Sequence, residues 1–138
     1  MNVRLNPYIG FRDEAREALA FYHSVFGGEL SMMTFAEGGM PHDPAEENRI
    51  MHGQIDAPNG MTLMISDTPS GMDMQAGSNI SISLSGDDVS LLRSYWEKLV
   101  ADGQVSMPLE TAPWGDMFGM LSDRFGITWM VNIAGQGH

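Results

Sequence analysis

His52 is the first place to look for chemistry, because imidazole is the side chain that titrates near neutrality without help. It sits in RIMHGQI, where Ile50, Gln54 and Asp56 occupy alternate positions. On a strand these share one face with His52. There His52 is a candidate general base. A structural, hydrogen-bonded histidine is the commoner occupant of such a place, and that reading weighs more. His42, Asp43, Glu46 and Glu47 form a second cluster with cation-binding chemistry, in the Gly/Pro-rich acidic stretch GGMPHDPAEEN. A solvated loop explains them better. His23 falls on a helical stretch and His138 ends the chain.

Whole reaction classes are absent from the motifs. The chain has no H-E-x-x-H, no G-x-S-x-G and no phosphate-binding glycine loop. It has no cysteine, which removes disulfides and thiolate ligands. Seven Lys+Arg against 18 Asp+Glu leave a net charge of −11, which repels nucleic acid and anionic lipid and chiefly confers solubility. No apolar run is long enough for a membrane span, and MNVRLNPY has no signal-peptide core. The expected compartment is therefore the cytoplasm. The 13 methionines point to adaptable packing, with some available to line a pocket. Asn79-Ile80-Ser81 matches a glycosylation sequon, but nothing indicates secretion.

The elements that must carry these residues come in two similar sets. NPYIGF reads as a strand, and Asp13 as the N-cap of a helix whose Ala15, Ala18, Leu19, Tyr22, Val25 and Phe26 recur at helical spacing. Gly27 and Gly28 end it. ELSMMTFAE is a strand, and RIMHGQIDAP and MTLMISD flank the type I′ hairpin signal Asn59-Gly60. After the turn-rich linker 68–78 the order repeats. NISISLSG is a strand, and Asp87 or Asp88 caps a helix faced by Val89, Leu92, Trp96, Leu99 and Val100. Gly103 ends that helix, and QVSMPLE, DMFGMLSD and ITWMVNI supply three strands. GMTLMISD and GITWMVNI are the same strand written twice, 66 residues apart at Gly60 and Gly126, while Asn6 and Asn79 lie 73 apart. At 138 residues the expectation is one α+β domain of two βαβββ repeats, about 1–67 and 79–135.

NPYIGF with its A-x-x-FY helix, VFGGEL, RIMHGQI and above all PWGDMFGMLSDRFGITWMVN resemble the vicinal oxygen chelate superfamily of glyoxalases, bleomycin-resistance proteins and extradiol dioxygenases. Within it the chain resembles the PhnB-like branch, also labelled 3-demethylubiquinone methyltransferase-like. No Gly-rich strand–turn–helix for a nucleotide-like methyl donor accompanies that label. The resemblance covers nearly the whole chain. It implies two βαβββ modules forming a curved mixed sheet around a cavity, and pairing into homodimers.

The resemblance also implies metal ligands, usually His and Glu, on the first and last strands of each module. Strand alternation maps these onto Asn6, Met64, Asn79 and Met130, none of which is His or carboxylate. No cofactor is therefore expected, and a divalent metal is disfavoured. The 66-residue offset sets Phe118 where the first module has His52, with Trp114 nearby. The expected ligand-binding residues are Tyr8, His52, Gln54, Met64, Asn79, Ser81, Trp114, Phe118 and Met130. For Trp114, packing at a turn weighs equally with ligand contact; for Met64 and Met130 packing weighs more. The leading reading is metal-free binding of a small, partly apolar or aromatic molecule. The alternatives are a lyase, isomerase or dioxygenase using non-standard ligands or His52 as acid/base, and an accessory dimer with no ligand.

Overall fold

A computed structural model describes residues 3–39, 42–72, 74, 76–77 and 79–135. His138 and parts of the acidic loop and linker lie outside the described residues. The chain divides into two compact units, Met1–Ala76 and Gly77–His138. Each is α+β, built on one open four-stranded mixed sheet.

In the first unit β1 (Tyr8–Phe11) leads into α1 (Ala15–Phe26), then β2 (Glu29–Thr34), β3 (Ile50–Asp56) and β4 (Thr62–Asp67). The sheet order is β1-β4-β3-β2, with β1 parallel to β4 and the other pairs antiparallel. All six apolar residues expected on the α1 face are buried, as are Leu63 and Ile65 beneath them. Burial of Leu19, Val25, Phe26, Leu63 and Ile65 contributes on the order of 1.5–3 kcal/mol each. A Cβ on Gly53 would strike the Leu19 side chain, so glycine there lets α1 lie close on β3.

Local readings are corrected at several points. Asp13 is not the cap of α1: Glu14 occupies that position without a side-chain bond, and the free Ala15 N–H instead donates to Asp67 Oδ1 at 3.0 Å. Asp67 is buried at the end of β4, and its other oxygen accepts from Ile50 N at 2.9 Å. ELSMMTFAE stops being a strand at Thr34. Thr34 and Glu37 form a reciprocal capping box that starts the one-turn helix α2 (Phe35–Gly38). The acidic loop also contains a 3-10 turn, Pro44–Glu46. Asn59 and Gly60 are both left-handed, as a type I′ turn demands, inside a loop closed by Ala57 N to Met61 O at 2.8 Å.

The second unit repeats the order as β5 (Ile82–Gly86), α3 (Val89–Leu99), β6 (Gln104–Thr111), β7 (Met117–Ser122) and β8 (Thr128–Ile133), arranged β5-β8-β7-β6. Asp88, not Asp87, caps α3 through Leu91 N at 3.1 Å. The buried residues of α3 are Leu92, Tyr95 and Leu99. Tyr95 extends the expected face, and burial, with Asp88 nearby, raises its phenol pKa. The left-handed residue after α3 is Asp102 rather than Gly103. Gly103 is needed for another reason: a Cβ there would collide with the Ser122 carbonyl oxygen. Gly119 repeats the role of Gly53, because its Cβ would lie 2.7 Å from the Trp96 ring. DRFG forms the expected turn, and Asp123 is buried in it, accepting from Phe125 N, Ile127 N and Trp129 Nε1 at 2.8–3.1 Å. Among the described residues no helix is long and apolar enough to cross a membrane.

Candidate functional site

Gly53, Ile65 and Ile9 mark the helix-covered side of the first sheet, so the alternate residues face away from α1. Pairing sets Tyr8 beside Met64, Met64 beside Gln54, and Gln54 beside Ser31. His52 pairs with Met33 on the outer side. A β-bulge decides who joins this face. Met33 opposes His52 but Thr34 opposes Ile50, which leaves Met51 unpaired. Ile50 therefore does not share the His52 face as strict alternation predicts; it is fully buried.

Four expected ligand-binding residues meet here. Tyr8 Oη lies 2.8 Å from His52 Nδ1, with the rings edge to face. His52 Nε2 lies 3.1 Å from Gln54 Oε1. Gln54 Nε2 donates to Asp56 Oδ1 at 3.0 Å. Thr62 Oγ1 donates to the same carboxylate at 3.2 Å, and Arg4 donates to Thr62 Oγ1. Tyr8, His52, Gln54 and Asp56 thus form one hydrogen-bonded file along the sheet, flanked by Met64. The sequence reading missed Arg4 and Thr62, because only pairing across β3 and β4 brings them to Asp56.

The corresponding face of the second sheet sets Phe118, Met120 and Met130 among Ser83, Ser122 and Asn132. Met130 pairs beside Ser83 and Met120, and Phe118 beside Asn132. Trp114, half exposed at the turn before β7, stands edge to face on Phe118 with ring centroids 5.7 Å apart. Asp116 ties this turn down by accepting from Asn132 Nδ2 at 3.0 Å and Gly135 N at 2.8 Å. Asn79 and Ser81 lie before the paired residues of this face. Both are exposed and precede β5.

The register also revises the strand alignment. Tyr8 opposes Met64 and Ser83 opposes Met130, so the first strands are offset by 75 residues, not 73. Asn6 precedes β1. Phenol, thioether and hydroxyl groups do not fit a divalent ion that seeks His nitrogen or carboxylate oxygen. Among the described residues no three His, Asp or Glu side chains converge as a metal site. The donor set does not fit the metal that the superfamily resemblance implies.

The acidic loop is more ordered than a solvated stretch. Ser70 Oγ donates to Glu46 Oε1 at 3.0 Å and to Asp43 Oδ2 at 3.1 Å, and Arg49 pairs with Glu46. These bonds border a cleft of about 500 Å3 lined by His42, Asp43, Glu46, Pro69, Ser70, Gly71 and Met72. Burial works against the Glu46 charge, but the Ser70 hydroxyl and amide, Arg49 and the Asp43 backbone outweigh it and hold the carboxyl below its ordinary range. Two acidic residues clasped by a serine tie the linker to the loop, which is a structural role.

Known proteins match the chain over its length. A structure of protein PA1353 from Pseudomonas aeruginosa is 33% identical, covers 98% of this chain and 100% of its own, and superimposes with a TM-score of 0.84. A Bacillus cereus structure described as a putative 3-demethylubiquinone-9 3-methyltransferase, PhnB protein, is 25% identical, with 96% and 100% covered and a TM-score of 0.74. Protein YjdN from Escherichia coli K12 is 29% identical, with 96% of each chain covered. The profile of the Glyoxalase/Bleomycin resistance protein/Dioxygenase superfamily matches residues 4–131. The chain belongs to that superfamily, in its PhnB-like branch.

Proposed function

We propose that this protein binds a small, partly apolar or aromatic molecule without a metal, on the sheet face that carries Tyr8, His52, Gln54 and Met64. One observation carries the reading: a continuous hydrogen-bonded file ends at a half-exposed tyrosine beside a methionine. Ligand sites combine apolar walls with a few oriented polar groups. Met64 supplies adaptable apolar contact, and the file supplies orientation. Trp114 and Phe118 offer a second aromatic surface suited to a planar ring. The acid/base alternative is weaker because both His52 nitrogens are engaged, one by Tyr8 and one by Gln54.

The protein acts as a homodimer in this reading. β2 and β6 are sheet-edge strands that expose Met32, Met33, Val105 and Met107, which favours pairing. Native mass spectrometry on protein purified without chelator, then given Mn2+, Ni2+ and Zn2+ in turn, tests the proposal. A dimer that holds small aromatic adducts and no stoichiometric metal is expected. One tightly held ion per chain would overturn it and direct the search to metal-assisted lyase, isomerase and dioxygenase assays.

A further inference from the structure

We infer that this site selects ligands by a hydrogen-bond donor: near neutral pH it takes an O–H or N–H group against the Tyr8 oxygen and rejects carboxylates and other pure acceptors. The inference rests on the proposed binding face. It follows from the direction that one charge imposes on the file. Asp56 is an acceptor only. Gln54 approaches both its oxygens, at 3.0 and 3.3 Å, so the Gln54 amide nitrogen must point at Asp56. The Gln54 carbonyl oxygen is then turned to His52 Nε2, which must carry the ring proton of a neutral imidazole to make the 3.1 Å bond. That leaves Nδ1 bare. Tyr8 must spend its only proton on Nδ1 across 2.8 Å.

Tyr8 therefore presents lone pairs and no donor to whatever docks beside Met64. Its oxygen has His52 as its one hydrogen-bond partner among the described residues, and the residue is 52% exposed. A phenol, an amide N–H or an amine completes the file. A carboxylate would meet oxygen with oxygen.

Two measurements on the full-length 15N-labelled chain decide the matter. The first reads the His52 tautomer from its ring nitrogen shifts at pH 8. The Nε2–H form is expected, and the Nδ1–H form overturns the inference whether or not anything binds. The second titrates 4-ethylphenol, 4-ethylanisole and 4-ethylbenzoate while following the amides of Tyr8, His52, Gln54 and Met64. At pH 8 the phenol should bind about tenfold more tightly than the other two, the usual effect of leaving a polar group unpaired. Tyr8→Phe should erase the preference of the phenol over the anisole, and a preference that survives it overturns the donor rule. Equal binding of all three at pH 8 overturns the donor rule and spares the binding face. Failure of all three to shift these amides removes the binding face, and the inference falls with it.

Discussion

The two units share a backbone and differ on one face. Glycine stands at the same two places in each. Gly28 and Gly103 let the start of β2 or β6 pass the carbonyl of Asp56 or Ser122, and Gly53 and Gly119 let the helix settle on β3 or β7. Under the helices Leu63 and Ile65 answer to Trp129 and Val131, all buried. On the opposite face the correspondence fails in chemistry while holding in register. His52, Gln54 and Asp56 become Phe118, Met120 and Ser122. Close approach and core volume constrain one side of each sheet, so the other side is free to diverge, and the His52, Gln54 and Asp56 file belongs to the first unit. Each unit also holds a buried aspartate, but in different places: Asp67 ends β4 and Asp123 precedes β8.

The shared glycines are the place to break the comparison most severely. Gly28→Ala meets the Asp56 carbonyl and a φ of +86° together, so it should cost about 3 kcal/mol. Gly103→Ala meets only the Ser122 carbonyl, its φ lying outside the left-handed region, and should cost about 2 kcal/mol. Urea unfolding of both variants checks the order. Equal costs would mean that backbone strain adds nothing to the clash.

The buried aspartates come next. Asp67→Ala leaves the Ala15 and Ile50 N–H groups without an acceptor, and Asp123→Ala leaves two amides and the Trp129 indole. Each should cost about 2–4 kcal/mol. Hydrogen exchange should localise the first loss to α1 and β3. Trp129 emission should report the second.

Acid should separate the units more gently. The Thr34 amide and hydroxyl hold the Glu37 carboxyl below its ordinary 4.5, and the Ser70 clasp does the same for Glu46 against its burial. A lowered carboxyl stabilises the fold fully above its unfolded value and loses that contribution as pH falls through the folded one. Exchange protection in residues 34–39 and 42–49 should therefore decline from about pH 4.5 downward. It should do so before the turn 112–116, which backbone bonds between Ala112 and Asp116 close. Simultaneous loss would place the acid sensitivity elsewhere.

The smallest stability effect should come with the sharpest functional one. Replacing the file by its counterparts, as His52→Phe, Gln54→Met and Asp56→Ser together, should change stability by no more than about 1 kcal/mol, since these side chains lie outside the core. It should also abolish the preference for 4-ethylphenol. A large loss of stability would show that the file is structural.

Much of the scaffold was legible in the residues alone. The repeat, the α1 face, the Asp88 cap and the left-handed Asn59-Gly60 turn follow from local spacing, which depends on neighbours a few positions away. Tyr95 was missed, although it lies three residues past Leu92 on the buried side of α3. The cap that Asp67 provides was not legible, because its partners lie 52 and 17 residues away. Nor was the bulge at Met51, which keeps His52 outward while sending Ile50 into the core. Of the nine expected binding residues, the register gathers Tyr8, His52, Gln54 and Met64, while Asn79 and Ser81 precede β5. Alternation along a strand says which residues share a face. Only pairing between distant strands says which of them touch, and it brought Tyr8 to the His52, Gln54 and Asp56 that one strand already aligned, making one directed file.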